Sequence, residues 1–194
     1  VGANEDSAPL LDPLEKEIRR RAGRAVYGEG RNLTLAAAVV NALRAAGQTV
    51  ACAESLTGGM LASKLVDVPG ASSVLGEAYV TYSNEAKMRL LGVSKDTLRQ
   101  FGAVSAQCAR EMAEGARRAS GADFALSTTG IAGPDGGTPE KPVGLVYVGL
   151  AGPEGCAVRE LRLGGDRQRI RRLSMLNALD LLRRALLGQA LQDA

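Results

Sequence analysis

The stretch TVACAESLTGGMLASKLVDV (49–68) passes from one structural period to another within twenty residues. TVACA (49–53) is a run of small and β-branched side chains with no polar alternation, the pattern of a strand buried on both faces. ESLTGG (54–59) breaks the run with two consecutive glycines, and GMLASKLVDV (59–68) resumes with helical spacing. Strand, tight turn and helix in that order form the repeating unit of an α/β domain.

Outward from this unit the alternation continues. LGEAYVTY (75–82) reads as a second strand, followed by helical pieces at 84–91 and 95–100 and a longer helix at 105–119 with Ser105 as its N-cap. DFALSTT (123–129) reads as a third strand. It empties into GIAGPDGGTPEKP (130–142), a loop of thirteen residues with four Gly and three Pro. GLVYVGLA (144–151) and CAVRELRL (156–163) form a hairpin through GPEG, which requires at least one antiparallel strand. A basic helix at 166–187 closes the pattern, with Ile170, Leu173, Leu176, Leu179 and Leu182 facing inward. Upstream, a helix at 34–46 carries a stripe of Leu35, Val39 and Leu43 and stops at Gly47. A shorter helix is expected at 13–23, opening on Pro13, with 26–32 as a linker and 1–12 loose. The fold class is α/β: a three-layer α/β/α arrangement with a mixed, mostly parallel sheet.

Composition narrows the chemistry. The chain has 194 residues, 45% hydrophobic and 23% charged, so it can bury a core. Only 3% are aromatic, and that core must be built from Ala, Val and Leu. There is no histidine, which excludes a Ser-His-Asp triad, a Cys-His pair and imidazole-bound zinc within this chain. Cys52, Cys108 and Cys156 are scattered, with no CxxC pair, and read as reduced thiols of a cytoplasmic protein. No apolar run is long enough to span a membrane. The net charge of +3 is weak, and the basic clusters EIRRRAGR (17–24) and DRQRIRRL (166–173) read as solvated helix faces with i,i+4 partners. The aromatic residues that usually accompany nucleic-acid binding are not interleaved with them.

Three segments leave strands and enter turns, where ligands gather in open α/β sheets. In AESLTGG (53–59), Ser55 is either a nucleophile at a strand-to-helix turn or a plain helix cap; Gly58 and Gly59 let a ligand approach the backbone, whose N–H groups suit an oxyanion. In TYSNEAK (81–87), Lys87 is either a surface cation or, without any histidine, a base held neutral by burial, with Tyr82 nearby as a relay. The TTGIAGPDGG loop (128–137) offers Thr128 and Thr129 and free backbone donors to an anion or sugar, or is a surface turn; Asp135 and Lys141 are further candidates for ligand contact. Cys52, near Ser55, belongs to the apolar strand and reads as core.

Taken together, AESLTGG, VTYSNEAKMRLLGV, GAVS and TTGIAGPDGGTPEKPVGLVYVGL resemble the C-terminal domain of the competence-damage-inducible CinA family, in order and from about residue 34 to 187. LEKEIRRRAGRAVYGEG resembles the segment that precedes this domain in longer family members. The resemblance implies a linker tail at 1–33, a domain at 34–188 and a short tail at 189–194, taken from a longer protein whose N-terminal domain is missing; the start at Val1 accords with that. It also implies a metal-free and cofactor-free Ser/Lys amidohydrolase, a homodimer, which converts nicotinamide mononucleotide (NMN) to nicotinate mononucleotide and ammonia. By motif, Ser55 is the nucleophile, Lys87 the base and Tyr82 an assisting hydroxyl; Thr57, Gly58, Gly59, Thr129, Gly130 and Arg167 are placed at the substrate, Arg167 either with its phosphate or as a cation that lowers the Lys87 pKa. Leu56 departs from the family pattern, where Cys is common. The alternative is a nucleotide- or partner-binding module, related to competence, with weak or no catalysis.

Overall fold

A computed structural model describes residues 8–31 and 33–189, which divide into two compact units at the Leu33–Thr34 bond. The first unit is built on α1 (Ala8–Ala22). The helix begins earlier than Pro13, which lies inside it rather than at its start. Apolar Leu11, Leu14 and Ile18 keep helical spacing across the proline and are all exposed. Residues 1–7, also expected to be loose, lie outside the described residues.

The second unit follows the expected alternation closely. Its elements are α2 (Leu35–Ala46), β1 (Val50–Glu54), α3 (Met60–Val66), β2 (Leu75–Val80), α4 (Asn84–Leu91), α5 (Lys95–Gln100), α6 (Ala106–Ser120), β3 (Phe124–Gly130), β4 (Leu145–Gly152), β5 (Gly155–Arg162) and α7 (Arg167–Leu186). Side-chain caps recur where the sequence offers hydroxyls: Thr34, Ser83, Ser94 and Ser105 each accept the N–H that opens a helix. Gly47, Gly92 and Gly121 end helices in the left-handed conformation.

The sheet order is β2-β1-β3-β4-β5. β1 runs parallel to β2 and β3, and β4 is antiparallel to both its neighbours, so four of the five strands point one way. β1 is buried along its whole length. Val50 and Cys52 face a core shared with α2, α3 and α7. Ala51 and Ala53 face the other side, against Leu91, Cys108, Met112 and Ala116. Small residues on this second face bring the helices close. A Cβ on Gly115 of α6 would meet the Leu91 carbonyl at 1.9 Å, so only glycine permits α4 and α6 to touch there.

The register brings the C-terminal ends of β1, β2 and β3 side by side: Glu54 pairs with Val80 on one flank and with Thr128 on the other. The turns that follow these strands therefore meet at one edge. No helix among the described residues is long and apolar enough to cross a membrane.

Candidate active site

Ser55 is the first residue beyond β1. Its N–H donates to the Thr128 carbonyl (2.9 Å), which extends the parallel pairing by one step and fixes the hydroxyl at the sheet edge. Beneath it, Glu54 is fully buried and turns its carboxylate on the start of α3. It accepts the N–H groups of Gly59 (3.0 Å), Leu61 (3.0 Å) and Ala62 (2.8 Å). A buried carboxylate persists only with such partners, and here the partners are the otherwise orphaned donors of a helix start. Gly58, with φ +59°, donates to the Ser55 carbonyl (3.1 Å) and closes the turn.

This pattern corrects one expectation. The Gly58 and Gly59 N–H groups are already engaged by Ser55 and Glu54, so they are not the free donors of an oxyanion site. Among the described residues, the N–H groups in this turn without an acceptor are those of Leu56 and Thr57. Thr57 itself is buried, its hydroxyl 2.7 Å from that of Thr128, and it braces the turn from inside.

Lys87 reaches the same point from α4. Its side chain is buried, with the residue 1% exposed. Nζ lies 3.1 Å from Ser55 Oγ, 2.8 Å from the Thr81 carbonyl and 3.3 Å from the Tyr82 carbonyl. Two of these three partners can only accept, so they take two N–H bonds and leave the third position of the amine directed at the serine. Burial pushes the Lys87 pKa below its ordinary value, against a smaller opposing effect of Cys108. That thiol is itself buried and pushed up to about 11, so it stays neutral near pH 7. Among the described residues no carboxylate bonds to Lys87, and the surface-cation reading of this buried residue does not hold.

Tyr82 contributes differently from its expected role. Its carbonyl holds Lys87, while its ring is 64% exposed and its hydroxyl sits 3.3 Å from Nη2 of Arg167. Arg167 also donates from Nη1 to the Gly133 carbonyl (2.8 Å). These residues rim a cavity of about 260 Å³ lined by Ser55, Leu56, Tyr82, Gly130 to Gly133, Asp135, Gly136 and Arg167. Thr129 lies beside it but is buried, and its hydroxyl donates to the Ala103 carbonyl (2.7 Å). Lys141 anchors the far end of the Gly-rich loop by donating to the Phe101 and Val104 carbonyls, so it faces that scaffold and not the cavity.

Arg171, absent from the sequence-based candidates, joins the site from α7. Its Nε donates to the Leu56 carbonyl (3.0 Å) and its Nη2 to the Thr57 carbonyl (2.7 Å). The signal that could have found it is its i+4 spacing from Arg167 on a helix stretch without a nearby carboxylate partner. Among the described residues, no group of three or more Cys, Asp or Glu side chains is placed to hold a metal ion.

These features define a three-layer α/β/α protein with a buried lysine on a serine hydroxyl at the ends of its parallel strands. Residues 32–186 match the model of the CinA C-terminal domain, and the chain belongs to that family. It is 54% identical over 178 residues to a CinA-like protein of Kosmotoga olearia and 48% identical over 186 residues to one of Dictyoglomus turgidum. These alignments cover 92% and 96% of this chain but 43% and 45% of the relatives, so the chain spans less than half their length. Among solved structures, the competence/damage inducible protein CihA of Agrobacterium tumefaciens aligns with a TM-score of 0.76 at 44% identity, covering 79% of this chain and 93% of the other. A competence damage-inducible protein A of Klebsiella pneumoniae aligns at 0.77 and 33%, over 80% and 97%.

Proposed function

We propose that this domain is an amidohydrolase that releases ammonia from the carboxamide of NMN by a Ser/Lys mechanism. The observation that carries the reading is the 3.1 Å contact between Lys87 Nζ and Ser55 Oγ, with two carbonyls holding the remaining amine positions. A neutral amine so held has its lone pair on the serine O–H, which is the arrangement a general base requires.

The steps follow from these positions. Ser55 Oγ attacks the carboxamide carbon as its proton passes to Lys87. The carbonyl oxygen gains negative charge, which the free N–H groups of Leu56 and Thr57 stabilise. Lys87 returns the proton to the amide nitrogen, the C–N bond breaks and ammonia leaves an acyl ester on Ser55. Water then attacks the ester, Lys87 takes its proton and passes it to Ser55 Oγ, and the nicotinate product departs. No metal or organic cofactor enters this sequence of steps.

Cavity size supports a divided substrate. At about 260 Å³ it falls just under the range of about 300–1,000 Å³ common for small-molecule sites, enough for the pyridine carboxamide. Ribose and phosphate then extend over the rim, where Arg167 has N–H groups to spare beyond its bonds to Gly133 and Tyr82. Gly130 lines the same wall with its backbone, and a Cβ there would instead meet Leu145 and Val146 of β4. Thr129 supports that wall through Ala103, and Tyr82 gives an exposed ring at the mouth.

The domain reading places the linker tail at 1–33, the catalytic domain at 34–188 and a short tail at 189–194, within a longer cytoplasmic protein that works as a homodimer. Free thiols at Cys52, Cys108 and Cys156 fit a reducing compartment. Ammonia release from NMN, with nicotinamide and NAD as controls, tests the activity. Release is expected from the wild type and absent from folded Ser55→Ala and Lys87→Ala variants; unchanged turnover in either variant sinks the assignment. Its kcat/KM is expected to rise with pH through a midpoint below the ordinary lysine value of 10.5, because only neutral Lys87 is a base.

A further inference from the structure

Arg171 is a cation bonded to the Ser55 turn that the scheme above leaves unused. It stands one helical turn beyond Arg167 on α7 and is half-buried against two consecutive carbonyls, Leu56 O and Thr57 O. Nothing in the local sequence demands this contact, since guanidinium groups on an exposed helix face are ordinarily solvated or paired with acids at i±3 or i±4.

A trans peptide points its C=O and its N–H in opposite directions. The Leu56 carbonyl belongs to the same peptide as the Thr57 N–H. With that carbonyl turned to Arg171, the Thr57 N–H is turned away from α7. The planar fork thus fixes the rotation of the Leu56–Thr57 peptide, the second beyond the nucleophile. A formal charge on the carbonyl oxygen also polarises the amide and strengthens its N–H as a donor. The second carbonyl, of Thr57, prevents the turn from relaxing toward the Gly58–Gly59 side. Glu54 holds that side from beneath through backbone N–H groups, so the turn is gripped by an anion on its donors and a cation on its acceptors.

We infer that Arg171 is a positioning residue that orients and polarises the Thr57 donor of the oxyanion site. The inference rests on the reading of Ser55 as nucleophile, and it does not depend on the identity of the amide. It gives α7 two separate tasks one turn apart: Arg167 serves the rim of the cavity, Arg171 the reacting centre.

The test uses the chain described here with Arg171→Ala and Arg171→Lys, and two readouts. The first is the rate at which a fluorophosphonate reagent modifies Ser55, followed by mass spectrometry; Ser55 Oγ bonds to phosphorus, fluoride leaves and Lys87 takes the hydroxyl proton. The second is ammonia release from NMN. For Arg171→Ala, labelling is expected to slow by at least about tenfold and kcat to fall by about 10²-fold, with KM nearly unchanged. The pH midpoint should stay at its wild-type position, since Lys87 keeps its partners, and added guanidinium should restore part of the rate. Arg171→Lys retains charge but spans only one carbonyl, and is expected to fall between the two; it carries the test if the alanine variant fails to fold by circular dichroism.

Wild-type rates in both variants overturn the inference, as does a loss confined to KM. A shifted pH midpoint overturns it too, because the effect then acts through Lys87. If the wild type labels at Ser55 but releases no ammonia from NMN, the substrate reading fails while the Arg171 effect is still measured on labelling. A wild type that does not label at Ser55 overturns both.

Discussion

EKEIRRR in α1 and DRQRIRR at the start of α7 are similar as text: each sets Ile before a run of arginines, three in the first and two in the second, and each looks like a solvated basic face. In α1 that description holds. Arg19 pairs with Glu15, and Arg20 and Arg21 both pair with Glu17, at i,i+3 and i,i+4. In α7 it does not. Asp166 is occupied as the helix cap, accepting the Arg169 N–H, and neither Arg167 nor Arg171 has a carboxylate three or four residues away. Their guanidinium groups reach instead to the Gly133, Leu56 and Thr57 carbonyls of other segments. An arginine with a glutamate one turn away has a local partner; without one, it is available to hold distant backbone.

Lys87 extends the comparison to a third kind of basic side chain, buried against two carbonyls and a hydroxyl with no acid bonded to it among the described residues. Its replacement by Met is expected to lower ammonia release by on the order of 10³-fold, the largest effect in the chain apart from loss of Ser55. The same substitution should leave stability equal or higher. Because burial lowers the folded-state pKa below 10.5, the folded protein binds fewer protons than the unfolded chain between the two values, so wild-type stability rises with pH across that window. The Met variant lacks that slope, which urea titrations at several alkaline pH values would reveal.

Next in size is the anion beneath the turn. Glu54→Gln puts an amide N–H₂ where donors already converge, and should cost about 3 kcal/mol in urea unfolding, as expected when buried charge-assisted bonds are broken. A smaller loss would mean that solvent reaches the start of α3. Arg167→Ala is expected to raise KM for NMN about tenfold with little change in kcat, and to leave KM for the phosphate-free nucleoside unaltered. Equal effects on both substrates would detach Arg167 from the phosphate. Smallest of all, Glu17→Gln should leave thermal melting unchanged, since exposed pairs contribute little; a clear drop would show that the α1 pairs are more than a solvated face.

The comparison also shows what could be read in advance. All five strands and the helices of the larger unit were legible because burial imposes a period: TVACA is continuous where a central parallel strand must be, and the hairpin is announced by GPEG. Ser55 and Lys87 were legible as candidates because both follow strand ends and the absence of histidine leaves few bases. Their contact was not, since it depends on β1 and β2 being neighbours. Arg171 was missed because its partners are carbonyl oxygens, which every residue possesses and no side-chain pattern marks. The expected donors at Gly58 and Gly59 failed for a similar reason: paired glycines signal open backbone, but whether a buried carboxylate already occupies it is decided by the fold.

Glu54 carries a last consequence, for the end of the reaction. Hydrolysis of a carboxamide turns a neutral group into an anion beside Ser55. The start of α3 is a feature that would hold such an anion, and in this protein Glu54 already fills it from below. The newly formed carboxylate thus meets a closed berth and a neighbouring negative charge. For the proposed reaction the expected outcome is weak inhibition by nicotinate mononucleotide, which product-inhibition kinetics would check.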